Sequence, residues 1–67
     1  MKLSQLADVL KSQRGMVQFG IIYDRSMDMD ADSGSTDYLV KEYGNSDVYS
    51  LQAEQNKIVI CVTEVKG

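Results

Sequence analysis

Asp24, Asp28, Asp30, Asp32 and Asp37 fall within one short stretch, D-R-S-M-D-M-D-A-D-S-G-S-T-D, which holds half of the chain's ten acidic residues. Five carboxylates against the single Arg25 leave this stretch at a formal charge of −4, whereas the whole 67-residue chain carries −3. The acidity is therefore local. Carboxylates at this spacing suit two chemistries. Alternate residues of a tight loop can deliver oxygens to a hard cation such as calcium, and Asp28, Asp30 and Asp32 occupy positions 1, 3 and 5 of a D-x-D-x-D string, with Asp37 as a later ligand. An EF-hand loop also needs glycine at position 6 and glutamate at position 12, and those positions hold Ser33 and Leu39. Alternatively, spaced carboxylates can stand in for phosphates and pair with lysines and arginines of a basic, nucleic-acid-binding protein. Met27 and Met29 interleave with the acids and Tyr38 follows them; thioethers and tyrosines suit an adaptable contact surface. The partner-binding set is then Asp28, Asp30, Asp32, Asp37, Met27, Met29 and Tyr38. A third possibility is a solvated loop that serves solubility and blunts a sheet edge with charge.

The rest of the chain excludes more than it proposes. It has no histidine, so the commonest general base and metal ligand is absent, and no glycine-rich phosphate loop is written. An enzyme is not expected, nor is a cofactor. Seven basic residues are scattered without a stripe, which argues against direct nucleic-acid binding. Cys61, the lone cysteine, lies in the apolar run Ile58–Val62 and reads as a small buried hydrophobe in a reducing compartment. The N-terminus lacks the apolar core of a signal peptide and no run is long enough to cross a bilayer, so a cytoplasmic protein is expected.

The elements that must carry these residues follow from periodicity. Leu3, Leu6, Ala7 and Leu10 repeat at helical spacing, with Ser4 as N-cap and Gly15 as stop, which predicts a helix over Ser4–Gln13. Met16–Tyr23 reads as a strand with Val17, Phe19, Ile21 and Tyr23 on the face under the helix. Gly20 within it suggests a bulge or a close backbone approach. The acidic stretch is expected to be a loop. Thr36–Tyr43, Val48–Gln52 and Ile58–Val65 read as three further strands joined by polar turns, hence as antiparallel neighbours. The expectation is a single α+β domain over residues 1–67, with one N-terminal helix packed on a four-stranded antiparallel sheet. So small a core could gain from a partner subunit, and a possible homodimer would use Ile22 and Leu39 as its seam.

The opening K-L-S-Q-L-A-D-V-L and the closing Y-G-N-S-D-V-Y-S-L-Q-A-E-Q-N-K-I-V-I-C-V resemble, in layout, small accessory proteins of phages and prophages of Gram-positive bacteria. That resemblance implies a non-enzymatic inhibitor that binds and blocks a host protein, of the anti-CRISPR or another counter-defence class. It transfers no site residue.

Overall fold

The computed structural model describes residues 1–6, 19–54 and 56–66. The order is a short 3-10 helix (Leu3–Leu6), strand β1 (Phe19–Asp24), strand β2 (Met29–Ser35), helix α1 (Thr36–Tyr43), strand β3 (Val48–Glu54) and strand β4 (Lys57–Val62). The class is α+β with a four-stranded sheet, as expected, but the sheet is mixed. Its order is β2-β1-β4-β3, and β1 runs parallel to β4 from Gly20↔Ile58 to Asp24↔Val62. The expected all-antiparallel meander is thus corrected. Two antiparallel hairpins, β1–β2 and β3–β4, are joined side by side through their inner strands. A parallel join needs a long crossover, and β2, α1 and β3 supply it.

The expected helix over Ser4–Gln13 lies mostly outside the described residues; its described start is the 3-10 turn Leu3–Leu6. The α-helix that is described is not N-terminal. It is Thr36–Tyr43, read from the sequence as a strand. Thr36, Tyr38, Val40 and Tyr43 favour strands by type, but Thr36, Leu39, Val40 and Tyr43 sit at i, i+3, i+4 and i+7, one face of a helix. Capping decides the matter. Ser35 is extended (φ −65°, ψ 151°) and its hydroxyl accepts the Tyr38 N–H at 3.2 Å. Asp37 in the first turn and Lys41 in the last complement the helix dipole.

The face of β1 that meets the helix is also the opposite of the one expected. Gly20, Ile22 and Asp24 are buried, whereas Phe19 is 44% exposed and Ile21 and Tyr23 are half-buried. Gly20 is the reason: a Cβ there would lie 2.9 Å from Leu39 Cδ1, so its bare backbone is the seat of α1. The sequence signal of a close backbone approach at Gly20 is borne out. Leu3, Leu6, Ile22, Leu39, Ile60 and Val62 form the core, flanked by Val40, Tyr43, Val48, Ile58 and Val65. Ile22 and Leu39 are both 0% exposed, so neither can form the dimer seam expected of them. Cys61 is buried, as expected. Strands β3 and β4 occur where their patterns place them, with β3 two residues longer and β4 ending at Val62.

This packing predicts that Leu39→Ala lowers the unfolding free energy by about 2–5 kcal/mol, the range for a fully buried leucine, and that Gly20→Ala costs about 1–3 kcal/mol by overpacking. The two substitutions meet at one contact. Urea denaturation of the double variant should show a loss well short of the sum of the single losses.

Candidate functional site

The acidic stretch, expected as a loop, is a hairpin. Its turn is Arg25–Asp28, closed by the Asp28 N–H donating to the Arg25 carbonyl at 3.3 Å, and the segment beyond is strand β2 on the edge of the sheet. Asp28 takes the left-handed conformation (φ 52°) that the turn requires and aspartate tolerates.

Asp24 is a fastening, 1% exposed. Its Oδ1 accepts the Ser26 N–H at 2.8 Å, the Ser26 hydroxyl at 2.6 Å and the Met27 N–H at 3.3 Å, while Oδ2 accepts the Val65 N–H at 3.3 Å. One carboxylate thus ties the hairpin turn to the segment following β4. These donors, the Ser26 hydroxyl foremost, hold its pKa below the ordinary value against the opposing effect of burial.

Asp32 is a clamp. Its Oδ2 accepts the Tyr43 hydroxyl at 2.6 Å and the Tyr38 hydroxyl at 2.7 Å, and its Oδ1 accepts the Ser33 N–H at 2.7 Å. Both tyrosines come from α1, so this carboxylate pins the helix to β2. The Tyr43 hydroxyl is the largest cause lowering the Asp32 pKa, and the same bond pushes Tyr43 up to about 12. Gly34 makes room for the clamp: at its φ of 156° it carries no Cβ, and one would lie 2.9 Å from the Tyr38 ring.

Asp28 accepts the Tyr23 hydroxyl, and that bond raises Tyr23 to about 12. Asp30 and Asp37 are exposed. The register breaks between Ile22 and Tyr23, which pair with Asp32 and Asp30. Ala31 is the extra residue of a bulge. Directly opposed residues share a sheet face, so Asp30 goes with Tyr23 and Asp32 with Ile22, on opposite faces. D-x-D-x-D therefore does not converge as its spacing suggests. Among the described residues no three acidic or thiol side chains are grouped to hold a metal ion, and Asp32 Oδ2 is already engaged by two hydroxyls.

What remains together is the hairpin end. Met27 (61% exposed), Asp28, Met29 (51%) and Asp30 follow one another there, while Tyr38 (42%) and Asp37 lie on the first turn of α1. Arg25, the cation expected to offset them, lies 5.5 Å over the Tyr49 ring. The ion pairs among the described residues, Lys2–Asp47 at 3.6 Å and Lys57–Glu54 at 3.7 Å, involve none of the five aspartates. Sequence reading missed the structural duties of Asp24, Ser26 and Tyr43. D-x-S was a usable signal, since aspartate two residues before serine is a turn-locking pattern; the Tyr43 contact spans eleven residues and had no local signal. Comparison of the chain with known protein families, with characterised proteins and with solved structures finds no match. No helix among the described residues is long and apolar enough to cross a membrane.

Asp24 and Asp32 set an acid limit on stability. Both have folded pKa values below their unfolded ones, so their contribution is fully present above about pH 4 and is lost as pH falls through the folded values. Thermal melts from neutral pH downward should show the midpoint falling in that window, and Asp32→Asn should flatten the fall. A wild-type curve with no decline below pH 4 would contradict this assignment.

Proposed function

We propose that this protein is a non-enzymatic protein-binding module, an inhibitor of the phage-borne type, which uses its acidic hairpin edge to occlude a basic surface of a host protein. The observation that carries the reading is the position of Arg25. With its guanidinium over Tyr49, the carboxylates of Asp28 and Asp30 stand by exposed Met27 and Met29 at the turn end of the hairpin, and Asp37 stands by exposed Tyr38 where β2 passes into α1, none with an ion-pair partner among the described residues. Asp32 leaves the contact set that spacing suggested and serves the scaffold instead. Asp28 in a hydrogen-bonded turn, Asp30 on a paired strand and Asp37 on a helix lose less freedom on binding than the same groups on an irregular loop, which favours recognition here. Charge complementarity of this kind acts mainly on association rate and specificity. The resemblance of its opening and closing segments to phage accessory proteins favours a blocking role over a catalytic one.

A second reading draws on the edge position of β2 itself. Charges and a bulge on an edge strand prevent unwanted pairing with other chains, and β2 has both.

The test is affinity capture from host lysate with the wild type and with Asp28→Asn/Asp30→Asn/Asp37→Asn, leaving Asp24 and Asp32 intact. The wild type should retain a basic protein, and the purified pair should lose roughly tenfold or more in affinity on neutralisation or on raising salt from low to high. Equal retention by both, with affinity indifferent to salt, would refute the occlusion mechanism. A neutralised variant that binds normally but aggregates would assign the carboxylates to edge protection.

A further inference from the structure

The two edges of the sheet are built differently. The β2 edge carries Asp30 and Asp32 and is broken by the Ala31 bulge. The β3 edge, V-Y-S-L-Q-A-E, has no charge before Glu54, and most of its residues are exposed. Its first residue is already closed: the Val48 N–H donates to the Met1 carbonyl at 2.6 Å. An irregularity at Tyr49 follows, and from Ser50 to Glu54 the strand is in unbroken register with β4, its outer side without a strand partner among the described residues. A regular, mostly exposed edge whose single charge, Glu54, stands at its end is a template for another strand.

We infer that this edge pairs with the same edge of a second copy of the chain, antiparallel over Ser50–Glu54, to make one continuous sheet across a two-fold axis. The identity of the occupant follows from self-complementarity. If both helix layers lie on one side, opposed residues must have matching faces, and a seam centred on Gln52 meets this while staying clear of Met1. Gln52 then faces its own copy, Leu51 faces Ala53 and Ser50 faces Glu54. Leu51, opposite core residue Ile60 and 40% exposed, lines a shallow, open, mostly apolar depression with Met1, Leu6 and Val48, so its burial at the seam covers apolar surface. Charges do not oppose the pairing. Glu54, held by Lys57 of its own chain, lies opposite Ser50 of the other copy, next in sequence to Tyr49, whose ring the Arg25 guanidinium covers, and the two-fold axis sets the two Glu54 side chains at opposite ends of the seam. A self-pairing of β2 would instead set aspartate against aspartate, which is destabilising across strands. Such two-fold seams are the commonest form of homodimer. The acidic hairpins would lie at the two outer ends, free for the partner.

Sedimentation equilibrium of the full chain, with circular dichroism as a check on folding, tests the seam through Gln52. Gln52 is exposed, so Gln52→Lys and Gln52→Glu leave the fold intact, but each puts like charges face to face at the axis. Each variant alone should dimerise roughly tenfold or more weakly than the wild type, and an equimolar mixture should recover dimer as the mixed species. A wild type monomeric at millimolar concentration, variants that dimerise like the wild type, or a mixture that fails to recover would each overturn the inference.

Discussion

The parallel contact between β1 and β4 is the constraint on which the rest of the structure depends. Each hairpin alone would be marginal in water, and their inner strands pair to give a sheet with one face deep enough to seat a helix. Ile22 and Ile60, matched across this contact, are both fully buried and share one core with Leu39 of α1. The contact is continued past its end by the Arg25 N–H to the Val62 carbonyl at 3.0 Å and the Ser26 N–H to the Thr63 carbonyl at 3.1 Å. Asp24, bound to the Val65 N–H, closes the same end with a buried carboxylate. A charge is tolerated there because four N–H and O–H donors replace its water.

Placing β1 and β4 inside forces β2 and β3 outside, and the functional reading follows from that geometry. Within the acidic stretch, β2 is paired on one side and, among the described residues, has no strand partner on the other. Its carboxylates divide by position. Asp24 and Asp32 turn inward to donors of the scaffold, whereas Asp28, Asp30 and Asp37 remain at the surface. The Asp32 clamp matters beyond its own bonds. By holding Tyr38 and Tyr43 it fixes the first and last turns of a helix only eight residues long, which could not hold its shape alone in water. The neighbouring surface is therefore set by the same group that was removed from it.

Much of the architecture was legible in the residues. The apolar run Ile58–Val62 announced a buried strand with Cys61 inside it, the polar pieces around Gly44 and Asn56 announced turns, and Gly20 announced a close approach. Three things were not legible, each for a physical reason. Thr36–Tyr43 contains residues that prefer strands, and only the Ser35 cap and the spacing of Thr36, Leu39, Val40 and Tyr43 reveal a helix. The buried face of β1 was misjudged because the helix selects the face with the least side chain, Gly20, rather than the most apolar one. The parallel pairing joins residues nearly forty apart, and no local pattern encodes it. In the acidic stretch, composition singled out a segment whose Met27, Met29 and Tyr38 are exposed, but a single bulge at Ala31 reversed the side on which Asp32 lies.

The acidic stretch passes through an ordered edge strand, β2, on a sheet centred on parallel β1 and β4. Cross-strand proton contacts and amide exchange measured by NMR at neutral pH address it directly. Antiparallel contacts are expected between Tyr23 and Asp30 and between Ile21 and Ser33, with parallel-type contacts linking Ile22 with Ile60 and slow exchange at Ile22 and Ile60. Amides from Met29 to Ser35 that exchange as freely as an unfolded chain, or contacts pairing β4 with α1 residues in an antiparallel ladder, would contradict it.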